Sequence, residues 1–388
     1  MRCAHPCGTA YTALDDTGAV PVELYVCENR SLHSQSKFRL LVVRLGAMGD
    51  ILHALPAVTA LRMAHPGWEI DWVVEPRWRA LLAAGGAEND RSGGAEMPVV
   101  NRLHFAPAKQ WAKRPLSSAT LREIADLRRR LLQGNYDAVL DVQGSIRSSV
   151  IARLAGSGRV IGEAKPREWP ARLFFSERIE TRGAHVIEQD IELASAVAGD
   201  ALHPVAPLLP VNPEAEEWCD RLLAGIAEKR LALINPGAGW GAKRWPVERY
   251  AAVAKGLAER EMHVLVNAGP GEEAMARAME DATKGSARPV SAALDQLIAL
   301  TRRISLCVAG DTGPLHLACA LGRPVVGIYG PTDPSRNGPF DTRFAVLRSP
   351  ISKRDHSRRA EPEAGLLTIA PEQVLRAADE LLAQEKVG

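Results

Sequence analysis

A chain of 388 residues, 46% hydrophobic and 24% charged, is long enough for two ordinary domains with a core each. A formal charge of +2 gives no argument for nucleic acid, and no apolar run approaches the roughly 20 residues that span a bilayer. The six cysteines (Cys3, Cys7, Cys27, Cys219, Cys307, Cys319) contain no CxxC pair, which points to a reducing cytoplasm and no structural zinc.

Residues 1–36 are polar, turn-rich and aperiodic and lack the apolar segment of a signal peptide. They read as a disordered extension, or as the product of an upstream start codon. The fold is expected to begin at Lys37. Residues 38–45 (FRLLVVRL) make a strand apolar enough for a buried parallel sheet, followed by Gly46-Ala47-Met48-Gly49-Asp50 and an apolar helix over 51–61. A strand over 70–74, a helix over 77–84, a loop over 85–98 and a short strand over 102–105 come next. An amphipathic helix over 120–133, a strand over 136–142 and a helix over 148–154 complete the alternation of a doubly wound α/β domain.

A connector with Pro204, Pro207, Pro210 and Pro213 then interrupts the pattern. The boundary falls there, dividing the chain into domains 37–205 and 206–370. The second domain reads as strand 231–235, helix 246–259, strand 263–267, helices 272–281 and 294–301, strand 304–308, helix 315–321 and strand 324–329. A last amphipathic helix, opening with Pro371, occupies the terminal segment 371–388. Ligands of such sheets bind at the carboxyl ends of the strands, and with two domains the natural site is the cleft between them.

The candidates for chemistry lie at those strand ends. Asp311-Thr312-Gly313 is a tight turn from strand to helix, whose first N–H groups can receive a phosphate. Thr312 can add a hydroxyl, and His316 lies one turn on, on the same face; alternatively Asp311 and Thr312 only cap the helix. Gly330-Pro331-Thr332-Asp333-Pro334 ends the next strand and could line the same crevice.

Asp50 follows the first strand, as a helix N-cap or as a general base facing the cleft. His53, one turn further, reads as a solvent-exposed histidine before it reads as a second polar contact. In Asn235-Pro236-Gly237-Ala238-Gly239-Trp240-Gly241-Ala242-Lys243-Arg244, two cations stand ahead of a helix N-terminus, where an anionic ligand would explain them. Glu272, after Gly269-Pro270-Gly271, is a dipole partner of its helix or an acceptor for sugar hydroxyls. Gln143 and Arg147 end the fourth strand of the first half, where arginines suit carboxylate or phosphate recognition. Neither GxGxxG nor GK[ST] is present, which disfavours a dehydrogenase or a Walker A loop.

In combination, RLGAMGDILHALPAVTALR, NPGAGWGAKRWP and AGDTGPLHLACALGRPVVGIYGPTDP resemble the family 9 glycosyltransferases, the lipopolysaccharide heptosyltransferases. YDAVLDVQGSIRSSVIARL, REWPARLFF and HVIEQDIELA are most similar to heptosyltransferase I. The resemblance covers residue 38 to the C-terminal helix. It implies a GT-B fold, two Rossmann-like domains facing each other across a cleft, with the acceptor on the first and the nucleotide-sugar on the second. It implies inverting, metal-independent transfer of heptose from ADP-heptose to the Kdo region of the lipopolysaccharide inner core, with Kdo-lipid A as acceptor and without a cofactor.

Carried over, the base falls on Asp50. The donor site falls on Lys243, Glu272, Asp311, Thr312, Gly313 and His316, and the acceptor side on Gly49, Gln143 and Arg147. Ala238-Gly239-Trp240 replaces the hydroxyl-bearing residues that often precede the donor lysine, so the phosphate contacts there are expected from the backbone. The expected setting is the cytoplasmic face of the inner membrane, with peripheral contact and no nucleic-acid partner. The alternatives are a same-fold transferase that adds a later heptose or uses another nucleotide-sugar, and a non-catalytic nucleotide-binding module.

Overall fold

The computed structural model describes residues 37–85, 96–226, 230–355 and 359–383. The expected extension over 1–36, most of the loop over 85–98 and the very end of the last helix lie outside them. In chain order the first half runs β1 (Arg39–Val43), α1 (Met48–Ala64), β2 (Glu69–Val74), β3 (Arg102–Phe105), α2 (Ala108–Trp111), α3 (Ser118–Gln133), β4 (Ala138–Asp141), α4 (Ile146–Leu154), β5 (Val160–Glu163), β6 (Glu177–Ile179) and α5 (Val186–Ala198).

The second half runs α6 (Pro213–Leu222), β7 (Leu231–Asn235), α7 (Val247–Ala258), β8 (His263–Asn267), α8 (Glu273–Thr283), β9 (Ala287–Val290), α9 (Leu294–Thr301), β10 (Leu306–Gly310), α10 (Gly313–Ala320), β11 (Val325–Tyr329), α11 (Pro334–Asn337), β12 (Phe344–Arg348) and α12 (Pro371–Ala383). The helix expected over 77–84 is instead a 3-10 turn, Pro76–Leu81. Pro76 fixes its start at the first helical position.

All pairings in both sheets are parallel, in the orders β3-β2-β1-β4-β5-β6 and β12-β11-β10-β7-β8-β9. Counted from its own first strand, each half has the doubly wound order 3-2-1-4-5-6. That order reverses between β1 and β4, and again between β7 and β10. At each reversal the flanking crossovers leave to opposite sides and open a crevice at the strand ends. The segments that follow these four strands carry Asp50, in the first turn of α1, and Gln143, Lys243 and Asp311. The topology thus gathers into two crevices residues far apart in the chain.

Burial follows the patterning. β1 and β7 have neighbours on both sides, and Leu40–Val43 and Leu231–Asn235 are buried. α1 is apolar on every face and buried from Ile51 to Leu61, because α5 and α10 both pack against it. α10 belongs to the other half, so one apolar cluster runs through both, joining Leu55 and Val58 to Leu315 and Leu317. The more amphipathic α12 lays Val374, Ala378 and Leu382 on the far face of the second sheet, against α7.

Candidate active site

β1 gives way to Arg44-Leu45-Gly46-Ala47, and Ala47 stands at the N-cap of α1. Its methyl group cannot cap a helix. Asp50, three residues on, takes part of that work: one carboxylate oxygen accepts a 2.9 Å hydrogen bond from the Ala47 N–H. Asp50 is therefore not the N-cap itself. Its other oxygen lies 3.3 Å from Arg44 Nη2, and 28% of the side chain remains exposed.

Arg44 also donates to the carbonyl of Val142, tying the loop after β1 to the loop after β4. The Gln143 amide is used at both ends within this junction. Its oxygen accepts from the Leu45 N–H at 2.8 Å, and its nitrogen donates to Ser145 Oγ at 2.8 Å. Gln143 thus shapes the loop, while Arg147 stands exposed in the first turn of α4. Asp141 accepts from the Gln143 and Gly144 N–H groups, yet burial still pushes its carboxyl up to about 6.

Two groups on this side escaped the sequence reading. Arg44 is a cation at the end of an apolar strand. Asp190 lies on α5, where Ile187, Ile191, Ala194 and Val197 share the buried stripe with it. A carboxyl on an apolar stripe was the available signal. Burial pushes Asp190 up to about 8; Arg44 opposes the shift, and Asp50 and Glu163 add to it.

On the other half, Lys243 ends the short 3-10 turn Gly241–Lys243 and reaches from the β7 loop to the end of β10. Its ammonium pairs with the Asp311 carboxylate, donates to the Asp311 carbonyl at 3.3 Å, and lies 4.3 Å from the centre of the Trp240 ring. Asp311 does not cap α10. Its second oxygen is 3.1 Å from His316 Nε2. Burial alone would raise the Asp311 carboxyl, but His316 and Lys243 hold it well below the usual carboxylate range.

Thr312 occupies the N-cap position, and its hydroxyl donates to the Gly310 carbonyl at 3.2 Å instead of capping. Gly313 opens α10. Glu272 accepts from the Gly269 N–H at 3.0 Å, and its carboxylate sits so close to Gly237 that a side chain there would collide with it. The two glycine loops after β7 and β8 therefore meet at Glu272. Next to the β10 loop, Thr332 is buried, while Asp333 caps α11 through the Ser335 N–H at 3.0 Å. The Thr332 hydroxyl has no hydrogen-bond partner among the described residues.

The two halves interlock at these loops. A Cβ on Gly49 would lie 2.7 Å from His316 Cδ2, and one on Gly313 would lie 2.6 Å from Met48 Sδ. Each glycine makes room for a side chain of the opposite half. His53, expected at the surface, is buried: α5 and α10 cover α1, and its Nε2 is 3.2 Å from His316 Nδ1. Lys243, Asp311, His316 and His53 form one polar chain from the second half into the first.

His185 stands 5.5 Å from the His53 ring and 3.1 Å, through Nε2, from the Gly338 carbonyl. Burial, then the neighbouring imidazoles, lowers His53 well below its ordinary value; burial lowers His185. Behind the chain, a cavity of about 60 Å³ is lined by Pro56, Ile187, Pro207 and Phe340. Among the described residues, no group of three His, Cys, Asp or Glu is placed to hold a metal ion.

Chemically, the arrangement offers a partly exposed carboxylate on one half and an ammonium and a helix N-terminus on the other. Such a site can take a proton from one reactant while meeting negative charge that grows on another.

Comparison with known proteins gives concordant matches. The profile of glycosyltransferase family 9 (heptosyltransferase) matches residues 124–366. Lipopolysaccharide heptosyltransferase 1 of Escherichia coli (strain K12) is 28% identical over 322 residues, which are 80% of this chain and 94% of that protein. Lipopolysaccharide heptosyltransferase 2 of the same strain is 27% identical over 372 residues, 90% of this chain and 99% of that one. Among solved structures, E. coli heptosyltransferase WaaC with ADP-2-deoxy-2-fluoro heptose superposes with a TM-score of 0.68 at 25% identity, covering 90% of this chain and 100% of its own.

Proposed function

The chain belongs to glycosyltransferase family 9 and has the GT-B fold, and from that premise we propose that it transfers a heptose from ADP-heptose to the Kdo region of the lipopolysaccharide inner core. The observation that carries the reading is the interlock of the two strand-end loops. Gly49 against His316 and Gly313 against Met48 bring the Asp50 loop of one half onto the Lys243–Asp311 loop of the other.

In this mechanism the acceptor hydroxyl attacks the anomeric carbon while the bond from that carbon to the β-phosphate oxygen breaks. Asp50 takes the hydroxyl proton, and Arg44 keeps that carboxylate oriented toward the crevice. The leaving diphosphate gathers negative charge. Lys243 meets it, together with the N-terminus of α10 at Thr312 and Gly313, and attack opposite the leaving group inverts the anomeric centre. Glu272, at the meeting of the β7 and β8 loops, accepts hydroxyls of the nucleoside side. The work is done on the cytoplasmic face of the inner membrane, where a lipid-anchored acceptor is presented.

A second reading is addition of a later heptose, favoured by the match to heptosyltransferase 2 over a larger share of the chain. One assay separates the two. Release of nucleoside diphosphate is followed with ADP-heptose, UDP-sugar or GDP-sugar, and with Kdo-lipid A that either lacks or already carries the first heptose. ADP release on the unheptosylated acceptor supports the proposal. Release only on the heptosylated one supports the second reading, and a preference for UDP- or GDP-sugars defeats both.

A further inference from the structure

α4 buries Ile151 and Ala152 and exposes Arg147 and Arg153, as a surface helix should, but part of its surface is inverted. Ser148 and Ser149 face inward and are fully buried, their hydroxyls bonded to the Ser145 and Ile146 carbonyls, whereas Ile146 and Val150 are about 40% exposed on the outside. A helix at a water surface normally shows the opposite arrangement. The 3-10 turn Trp169–Phe174, packed against α4, repeats the pattern. It buries Ala171 and leaves Trp169 62% and Leu173 65% exposed. Isolated apolar side chains at a surface need no account, but four on two touching elements do.

The charge around them is mainly positive. Residues 143–179 hold seven Lys and Arg against three Glu, in a chain of net +2. Arg147, Arg153, Lys165 and Arg167 are exposed, and the Arg172 guanidinium lies 5.5 Å from the centre of the Trp169 ring. Of the glutamates, Glu168 is occupied with the Ile146 N–H at 2.9 Å, and Glu177 with Arg159 at 2.8 Å. An indole and aliphatic side chains with exposed cations on the same two elements and the loop before the turn suit the interface of an anionic bilayer: the apolar groups enter the acyl boundary and the cations remain among the phosphates. A protein partner of ordinary composition offers no comparable excess of negative charge.

The patch also adjoins the site. The Glu168 N–H donates to the Gly144 carbonyl at 2.9 Å, so the turn is fastened to the β4 loop that Arg44 links to Asp50.

We propose that the outer face of α4 and the turn Trp169–Phe174 form the surface that seats this protein on an anionic lipid bilayer, with the Asp50 crevice at its edge. The proposal rests on the reading of the acceptor as lipid-anchored. Its contribution is to assign the contact to a defined surface.

The test is co-sedimentation of the full chain with vesicles of phosphatidylcholine alone, or with about 30 mol% phosphatidylglycerol. Binding is expected on the anionic vesicles and to weaken as salt is raised. Trp169→Ser/Leu173→Ser should lower it about tenfold, and Arg167→Gln/Arg172→Gln should lower it and flatten its salt dependence. Both variants should keep the parent melting temperature and its turnover of ADP-heptose on a deacylated, water-soluble acceptor.

Equal binding to neutral vesicles, or parent-like binding by either variant, would overturn the proposal, as would a parent protein that binds no vesicle. If the apolar variant folds poorly, the arginine variant decides. The soluble-acceptor assay keeps the two readings apart: turnover without vesicle binding removes this surface and leaves the enzyme, whereas Trp169-dependent binding without heptose transfer does the reverse.

Discussion

Asp50→Asn separates chemistry from structure, because the geometry fixes how little the fold should lose. The Ala47 N–H can donate to the amide oxygen of asparagine as it does to the carboxylate at 2.9 Å, so the helix start survives. What disappears is the ion pair to Arg44, 3.3 Å apart and partly screened by solvent, with 28% of the Asp50 side chain exposed. Pairs of this kind contribute about 1 kcal/mol or less. With roughly 2.1 cal/mol/K of unfolding entropy per residue over about 350 residues, that is a fall of about 1–2 °C in melting temperature. Loss of a general base lowers kcat by about 10²–10⁴-fold, or roughly 2.7–5.4 kcal/mol of barrier. The catalytic loss should therefore exceed the stability loss several-fold. Stopped-flow or coupled detection of ADP release, calorimetric ADP binding and a thermal melt on one preparation give all three quantities. A folded variant with turnover within about threefold of the parent would refute the base assignment, since general-base loss predicts far more.

Other perturbations probe the joint between the halves. Gly49→Ala places a methyl against the His316 ring, which Asp311 and His53 hold from both sides, so the ring must move. We expect about 1–3 kcal/mol of destabilisation and a drop in kcat, read by melting temperature and turnover; a silent variant would show that the interlock is not tight. Lys243→Ala leaves Asp311 buried without its ammonium, so it should cost about 3 kcal/mol in stability as well as raise KM for the donor and lower kcat. In Lys243→Met/Asp311→Asn the stability should largely return while kcat stays low, and a double variant no more stable than Lys243→Ala would speak against the pairing.

Asp190 gives a pH test. Its folded value, about 8, lies above the unfolded carboxylate value, so the unfolded chain releases this proton first and stability from this group falls as pH rises from about 4 through 8. Asp190→Asn should raise the melting temperature little near pH 4 and progressively more toward pH 8. A gain that does not depend on pH would place Asp190 in water.

Local pattern was enough for much of this protein. The apolar runs around β1 and β7 and the strand–helix alternation predict two doubly wound halves, because a strand buried on both faces must be apolar at every position. The glycine-rich turns at the strand ends, with Asp50, Lys243, Asp311 and His316 beside them, were legible for the same local reason: only certain residues can turn a strand into a helix at a ligand crevice. The strands β5, β6, β9 and β12 were not read, since Gly, Pro or charged residues (VIGE, ERI, ARPV, FAVLR) leave no apolar run that stands out.

Partnership was beyond the sequence. Lys243 is 68 residues from Asp311, His53 is 263 from His316, and no local rule pairs them. Their meeting follows from the strand order in each sheet and from α1 packing on α10 across the two halves. The same packing turned His53 from an exposed residue into a buried link and put Asp190 beside Arg44 and Asp50. Local propensity sets what each segment can become. Which polar groups lose water and must find one another is decided by the surfaces that close over them, and those exist only once the sheets are assembled.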